Sequence, residues 1–177
     1  MRLGLDRIAL LFAAVVIAAA TFWELRRPPN LTFRVQGDTA FVNGTTSSRD
    51  QGAVRRLLRD HPGVRRLVFE DMPGTRDMTS NYRLARSIRE AGLATELAAR
   101  SRIASGAVDL FLAGEPRTVA CGAMIGVHSW GSPGFDAQDV GWDTHRTMSR
   151  DFLADMGVDP DFYDFRTQAA GRSRYTG

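Results

Sequence analysis

The sequence predicts an α/β domain in which a parallel or mixed β-sheet is covered by helices. Short runs of β-branched and apolar residues alternate along the chain with stretches of helical periodicity. Glycine and proline residues separate these segments. The 177 residues, 44% hydrophobic and 24% charged, suffice for one folded domain plus a short additional segment. Strands and helices alternating at these lengths are typical of a sheet packed by helices.

The order of elements follows from the positions of turn and capping residues. Residues 31–35 and 39–42 alternate apolar and polar residues around Gly37, which predicts a β-hairpin. Ser47 or Ser48 is a suitable cap for the helix that follows. The predicted elements after the hairpin are a helix over 49–59, a strand over 66–70, a helix over 79–91, a strand over 95–98, a helix over 104–113, strands over 117–120 and 124–128, a helix over 143–156 and an amphipathic segment from residue 160.

The charged residues and the single cysteine exclude several classes of function. The net charge is +3, but all 23 basic residues are arginine and they are interspersed with 20 acidic residues, so no nucleic-acid partner is expected. Without lysine, neither a Ser–Lys dyad nor Schiff-base chemistry can arise within the chain. Cys121 has no partner for an intramolecular disulfide, and no Cys/His cluster has zinc spacing. We expect neither a metal nor an organic cofactor.

The N-terminus predicts an export segment. Residues 8–23 carry no charge, and Arg2 and Arg7 precede them. The run is short for a bilayer span of about 20 residues, and the alanines at 18–20 would suit signal cleavage. Trp23 would equally suit an interfacial membrane anchor. A cleaved signal and an inner-membrane anchor therefore both remain open.

We accordingly assign residues 1–27 to a signal or anchor segment and residues 28–177 to the folded domain. Such a segment would place the domain in the periplasm or another extracytoplasmic compartment.

Three features of the folded domain have chemical potential. Ser105 opens an apolar helix directly after a strand, where unpaired N–H groups and the helix dipole favour negative charge. By itself, this serine is equally compatible with an ordinary helix N-cap. Gly74 and Thr75 lie in a tight loop after an earlier strand, and backbone N–H groups there and at Gly106 could bind an oxyanion. His128 ends a later strand.

In this order, the three features resemble the family of the Clp protease proteolytic subunit and its exported relatives near signal peptide peptidase A. The similarity runs from about residue 68 to residue 130 and implies a ClpP/crotonase-like fold with repeated β-β-α units. It implies that Ser105 is the nucleophile and that His128, 23 residues later, is its general base. The N–H groups of Gly106 and of Gly74 or Thr75 would be the oxyanion donors.

The sequence departs from the family pattern at two places. The family's Ser-Pro-Gly-Gly loop is here Met72-Pro73-Gly74-Thr75. The segment that aligns with the family's catalytic acid, residues 167–174, contains neither Asp nor Glu. Asp159, Asp161 and Asp164 lie just upstream and are alternative sources of the acid, of which we assign Asp164 to the third triad position. Asp109 falls on the apolar helix after Ser105, and we expect it to pair with Arg100 or Arg102, since a buried carboxylate must be paired or neutralised.

The resemblance implies an extracytoplasmic serine hydrolase of peptidase type, acting on a peptide or protein substrate. The two departures keep a second interpretation open, a catalytically inactive domain of the same fold that binds or assembles with partners. A crotonase-like acyl-CoA site is a third alternative. Relatives of this fold assemble into rings or stacks, so a homo-oligomer is also expected by analogy.

Overall fold

A computed structural model describes residues 30–127 and 142–172. Six strands form one sheet in the order β1-β2-β3-β4-β5, with β6 also paired to β4. The strands are β1 (Thr32–Gln36), β2 (Thr39–Asn43), β3 (Arg66–Met72), β4 (Ala94–Ala104), β5 (Arg117–Val119) and β6 (Met124–Gly126). The hairpin β1–β2 is antiparallel, whereas every other pairing is parallel.

Five α-helices and a short 3-10 helix accompany the sheet in the described part of the chain. They are the 3-10 helix Ser48–Asp50, α1 (Ala53–Asp60), α2 (Met78–Glu90), α3 (Gly106–Leu112), α4 (Trp142–Asp155) and α5 (Phe162–Arg172). Buried side chains of β2, β3 and β4 form one core with those of all five α-helices. The predicted fold class, a mixed sheet of mostly parallel strands covered by helices, is confirmed.

Strand β4 is much longer than the predicted strand over 95–98. Its first half pairs with β5 and its last three residues pair with β6, so one long strand supports two short ones. Arg100 and Arg102 are exposed, while Ser101 and Ile103 between and after them are buried. The segment between the predicted strand over 95–98 and the predicted helix over 104–113 is therefore a strand with one polar face.

Two other predicted boundaries are wrong for local reasons. The expected helix over 49–59 is divided, because Ser47 and Asp50 cap each other reciprocally and close a single 3-10 turn before Gly52. Strand β3 continues through Asp71 and Met72, which pair with β4 after a bulge and so are not part of the loop. The loop itself begins at Pro73.

The C-terminal helices pack onto α2. The rings of Tyr82 and Phe152 stack with centroids 4.2 Å apart, and the Tyr82 hydroxyl shares a buried 2.9 Å hydrogen bond with the Ser149 hydroxyl. The amphipathic segment predicted from residue 160 is α5. These contacts join α4 to the core.

The predicted signal or anchor, residues 1–27, lies outside the described residues. Among the helices that are described, none combines the length and apolar character needed to cross a bilayer.

Candidate active site

Ser105 lies at a sharp turn between the end of β4 and the start of α3. Its backbone has φ 54° and ψ −129°, and it is the one non-glycine residue with positive φ in the described part of the chain. Positive φ brings Cβ into conflict with the backbone, so such residues cost roughly 1–3 kcal/mol and concentrate at functional sites. Its N–H donates to the Gly126 carbonyl at 3.1 Å, and its carbonyl accepts from the Val108 N–H at 3.0 Å. The turn is therefore held from both sides.

The Ser105 hydroxyl does not cap the helix. An N-cap serine ordinarily has an extended backbone and accepts a bond from the second or third helical N–H group. Ser105 is at the cap position, as predicted, but its backbone is not extended and its side chain makes no capping hydrogen bond. The side chain is half-buried. The ordinary capping interpretation does not explain this serine.

Gly74 brings the backbone of the loop after β3 directly against Ser105. Gly74 has φ 140°, and a Cβ atom placed on it would lie 2.9 Å from the Ser105 Cβ and 3.3 Å from the Ser105 Oγ. A side chain at position 74 would thus clash with the serine and would also be conformationally strained. The loop therefore requires glycine here.

Thr75 occupies the position of the family's second glycine without needing glycine's freedom. Its φ is not positive, and its hydroxyl bonds with the backbone of Asp77. A Cβ atom on Gly106 would lie 2.5 Å from the Thr75 Cγ2, so the threonine methyl group fills the space that Gly106 leaves empty. The departure at residue 75 is compensated by this packing.

Three backbone N–H groups, those of Gly74, Thr75 and Gly106, lie next to the Ser105 turn. Thr75 forms a bridge with Thr46 that uses the Gly74 carbonyl and the Arg76 N–H, which leaves the Thr75 N–H on the other side. Within residues 30–127 and 142–172, the N–H groups of Gly74, Thr75 and Gly106 donate to no backbone acceptor. Gly106 is the first residue of α3, where N–H groups lack intrahelical partners. All three predicted oxyanion residues thus lie beside Ser105.

A pair of buried polar residues that the sequence did not reveal supports this arrangement. Asn81 of α2 donates from Nδ2 to the Gly106 carbonyl at 2.8 Å. Its Oδ1 accepts from the Thr46 hydroxyl, also at 2.8 Å. Both side chains are only 1% exposed. An asparagine on the inner face of a predicted helix, which needs partners when buried, was the available signal.

The structure does not place the other two predicted triad residues, His128 and Asp164, next to Ser105: one lies outside the described residues and the other is paired with arginines. His128 lies outside the described residues, two positions after the Gly126 that bonds Ser105, and its distance from the serine stays untested. Asp164 lies on α5, where its carboxylate accepts from Arg150 at 2.9 Å and from Arg146 at 3.3 Å. The described contacts of Asp164 are therefore those of an arginine-paired surface carboxylate.

Asp109 pairs with Arg166 of α5, and the expected partners Arg100 and Arg102 are wrong. The Arg166 Nη1 donates to the Asp109 Oδ1 at 2.9 Å inside the protein. Arg100 and Arg102 project from the exposed face of β4 and cannot reach a carboxylate on a core-facing helix. Burial raises the pKa of Asp109 to about 6, although the Arg166 charge opposes this shift. This pair joins α5 to the helix that begins after Ser105.

An open groove of about 360 Å³ runs beside the turn, at the ends of β3, β4 and β6. Its lining is mostly apolar and includes Met72, Pro73, Ile103 and Ile125. Charged side chains at its margin come from Asp71 and Arg102, which are register partners on neighbouring strands. Ala104, the residue before Ser105, also lines the groove. No group of three or more His, Cys, Asp or Glu side chains in the described residues could hold a metal ion.

The fold and the site together define an α/β protein with a strained serine at a strand-to-helix turn, flanked by backbone N–H groups that have no backbone acceptor among the described residues. No family model matches the sequence, and no curated protein matches it.

Among solved structures, the chain is similar to an enoyl-CoA hydratase from a Polaromonas species, with 13% identity, a TM-score of 0.42 and coverage of 55% of this chain and 50% of that one. It is similar to a probable enoyl-CoA hydratase/isomerase from Mycobacterium abscessus, with 15% identity, a TM-score of 0.40 and coverage of 54% and 48%. A Pseudomonas aeruginosa protein has 14% identity, a TM-score of 0.40 and coverage of 73% and 69%. The chain spans about half the length of the first two.

Proposed function

We propose that this protein is a serine hydrolase of peptidase type, in which Ser105 is the nucleophile and backbone N–H groups form the oxyanion hole. The observation that carries the proposal is the backbone of Ser105. A non-glycine residue at φ 54° and ψ −129° that does not cap its helix needs another reason to be held there. A turn of this kind between a strand and a helix presents a serine hydroxyl to a substrate at the edge of a sheet.

In the proposed reaction, the Ser105 Oγ attacks the carbonyl carbon of the substrate and His128 takes the hydroxyl proton. The carbonyl oxygen becomes an oxyanion, which the N–H groups of Gly106 and of Gly74 or Thr75 stabilise. His128 then gives the proton to the leaving group, and water hydrolyses the acyl-enzyme. A third triad residue is not required for this sequence of steps, although Asp164 remains the proposed acid. No metal or organic cofactor enters the scheme.

The groove beside the site supports a peptide or protein substrate. Its apolar lining suits aliphatic side chains, and an extended segment lying in it would bring a carbonyl group to Ser105. Residues 1–27 support export, so the substrate would be met outside the cytoplasm or at the membrane. Exposed apolar side chains outside the groove, Val119 at 52% and Phe165 at 61% exposure, support a homo-oligomer.

A fluorophosphonate probe tests the proposal directly. We expect the probe to label the purified protein at Ser105, as located by mass spectrometry, and to leave Ser105→Ala unlabelled. Failure to label the folded wild-type protein, while a control serine hydrolase reacts in the same tube, would contradict the proposal.

A second function has one specific observation in its favour. The Asp164 carboxylate is already engaged by two arginines, which is the arrangement expected if the triad were incomplete and the domain bound peptides without cleaving them. On this alternative, Ser105→Ala would bind the same peptides as the wild-type protein with the same affinity, and neither protein would hydrolyse them. Calorimetric titration with peptides, together with analysis of any cleavage products, distinguishes the hydrolase from the peptide-binding domain.

A further inference from the structure

A chain of hydrogen bonds connects the two halves of the proposed oxyanion hole through the protein interior. At one end, the Thr46 N–H donates to the Gly74 carbonyl at 3.2 Å, and the Thr46 carbonyl accepts from the Arg76 N–H at 2.8 Å. At the other end, Asn81 donates to the Gly106 carbonyl. The bond from the Thr46 hydroxyl to Asn81 closes the connection. The loop after β3 and the start of α3 are thus tied together by two side chains.

Asn81 makes both kinds of bond at once, which few side chains of this size can do. A carboxamide donates through its nitrogen and accepts through its oxygen in one plane, whereas a carboxylate only accepts and an aliphatic side chain does neither. The space is tight as well, since a Cβ atom on Gly106 would lie 3.0 Å from the Asn81 Nδ2. The position of Asn81 therefore fixes the orientation of the Gly106 carbonyl relative to the Gly74 loop.

We propose that Asn81 is a positioning residue that holds the Gly106 N–H and the Gly74–Thr75 N–H groups at the spacing needed for one oxyanion. This inference rests on the proposed function and extends it to a residue on α2 that does not touch the substrate. Thr46, which is bonded to Asn81 through its hydroxyl and to the loop after β3 through its backbone, positions the same N–H groups from the side of that loop. The requirement is geometric, because donors stabilise an oxyanion only when they converge on the place where it forms.

The rate of Ser105 phosphonylation by a fluorophosphonate probe, measured over a range of probe concentrations, tests the inference. Asn81→Leu keeps the approximate volume and removes both bonds, and we expect the limiting rate to fall by about tenfold or more with little change in the half-saturating concentration. Thr46→Val removes only the hydroxyl, and a smaller fall in the same limiting rate is expected.

Tyr82→Phe is the matched control. It lies next to Asn81 on α2 and removes the buried polar contacts of the Tyr82 hydroxyl with Ser149 of α4 and Arg166 of α5, neither of which belongs to the loop after β3 or to the start of α3. We expect it to weaken α2 in the same general way while leaving the labelling rate unchanged. If Asn81→Leu and Thr46→Val react as fast as Tyr82→Phe, the positioning role is wrong while the proposed function stands.

Absence of labelling in the wild-type protein would overturn both the proposed function and this inference. If Asn81→Leu does not fold, Thr46→Val decides the matter, because it retains the bond between Asn81 and Gly106 and loses only the bond between the Thr46 hydroxyl and Asn81. A limiting rate equal to that of Tyr82→Phe would then reject the inference.

Discussion

At the scale of single residues, the protein stores backbone strain at one serine and charge at one aspartate. Ser105 occupies a conformation that glycine adopts readily, and Asp109 is a buried carboxyl group. Neither arrangement favours stability by itself. Both occur on the same short helix or at its start, so the strain and the buried charge are concentrated in the element next to the proposed site.

The strain at Ser105 predicts an unusual ranking of two substitutions. Ser105→Ala keeps a Cβ atom at positive φ, whereas Ser105→Gly removes it. We expect Ser105→Gly to be more stable than Ser105→Ala by about 1 kcal/mol, although glycine ordinarily costs stability relative to alanine. Urea denaturation of the two variants measures the difference. An alanine variant that is the more stable of the two would show that little strain is stored at this turn.

The raised pKa of Asp109 predicts a pH dependence of stability. The carboxyl group binds its proton more tightly in the folded protein, with a pKa of about 6, than in the unfolded chain, where the value is 3.8. Between these values unfolding releases a proton, so the contribution of Asp109 to the free energy of unfolding falls as pH rises from about 4 to about 6 and is constant above that. Asp109→Asn cannot titrate and should lack this fall.

Denaturant unfolding of the wild-type protein and of Asp109→Asn at several pH values gives the difference curve. The difference cancels groups that both proteins share, such as Asp77, whose pKa is lowered mainly by its hydrogen bonds to Ser80. Parallel stability curves from pH 4 to pH 7 would mean that Asp109 ionises in the folded state as it does in the unfolded chain.

At the scale of elements, α3 is fixed by polar contacts at its first residue and in its middle turn. Asn81 holds its first carbonyl, and Arg166 of α5 pairs with Asp109 in its middle turn. A buried ion pair contributes little compared with a well-packed apolar pair, but loss of one partner leaves an uncompensated charge. The docking of α5 therefore depends on both members being present.

A pair of variants tests this docking. Arg166→Met leaves the Asp109 carboxylate buried without its cation, and we expect the free energy of unfolding at pH 7 to fall by about 3 to 5 kcal/mol. Adding Asp109→Leu should recover most of that loss, because neither charge then remains. Chemical denaturation of both variants gives the comparison. If the double variant is as unstable as the single one, apolar packing rather than charge governs the contact.

The elements also show what the sequence could predict and what it could not. The periodicity of apolar residues and the positions of turn residues located the hairpin, α2 and the helix after Ser105. Each of these elements has a clear apolar face and a glycine or a cap at its end. Arg100 and Arg102 concealed the second half of β4, since a strand with a solvated outer face has the same polar composition as a turn. The order of Gly74, Ser105 and Gly126 in the chain contained no information about their contact distances.

Long-range polar partners were the least predictable feature. Asp109 was expected to be buried and paired, which is confirmed, but its cation comes from a helix 57 residues later. Asn81 and Thr46 are 35 residues apart, and nothing in their local sequence marks them as partners. Burial can be read from a hydrophobic pattern, whereas the identity of a hydrogen-bond partner depends on how distant elements pack.

At the scale of the whole molecule, the proposed site lies where the strand ends of β3, β4 and β6 meet the start of α3. The predicted export segment before the domain would decide in which compartment the proposed site meets a substrate. Residues 1–27 carry the export prediction, and the described helices contribute nothing to it.

Fusion of residues 1–27 to alkaline phosphatase, which is active only outside the cytoplasm, tests the prediction. We expect an active fusion, because the uncharged run is preceded by arginines and is long enough to engage the export machinery. Fractionation and N-terminal sequencing of the full chain then distinguish an anchor, which sediments intact with membranes, from a cleaved signal. An inactive fusion, with a proven signal active in parallel, would reject export.

The hydrogen bond from the Ser105 amide to the Gly126 carbonyl couples the serine to β6, a strand of three residues at the edge of the sheet. Edge strands separate from a sheet at a lower free energy than the core unfolds. Deuterium uptake at the Ser105 amide should thus follow the fraying of β6 while the interior of α3 remains protected. A ligand that binds along β6 would slow this uptake even without touching residue 105. Exchange of this one amide proton therefore reports on binding anywhere along the groove.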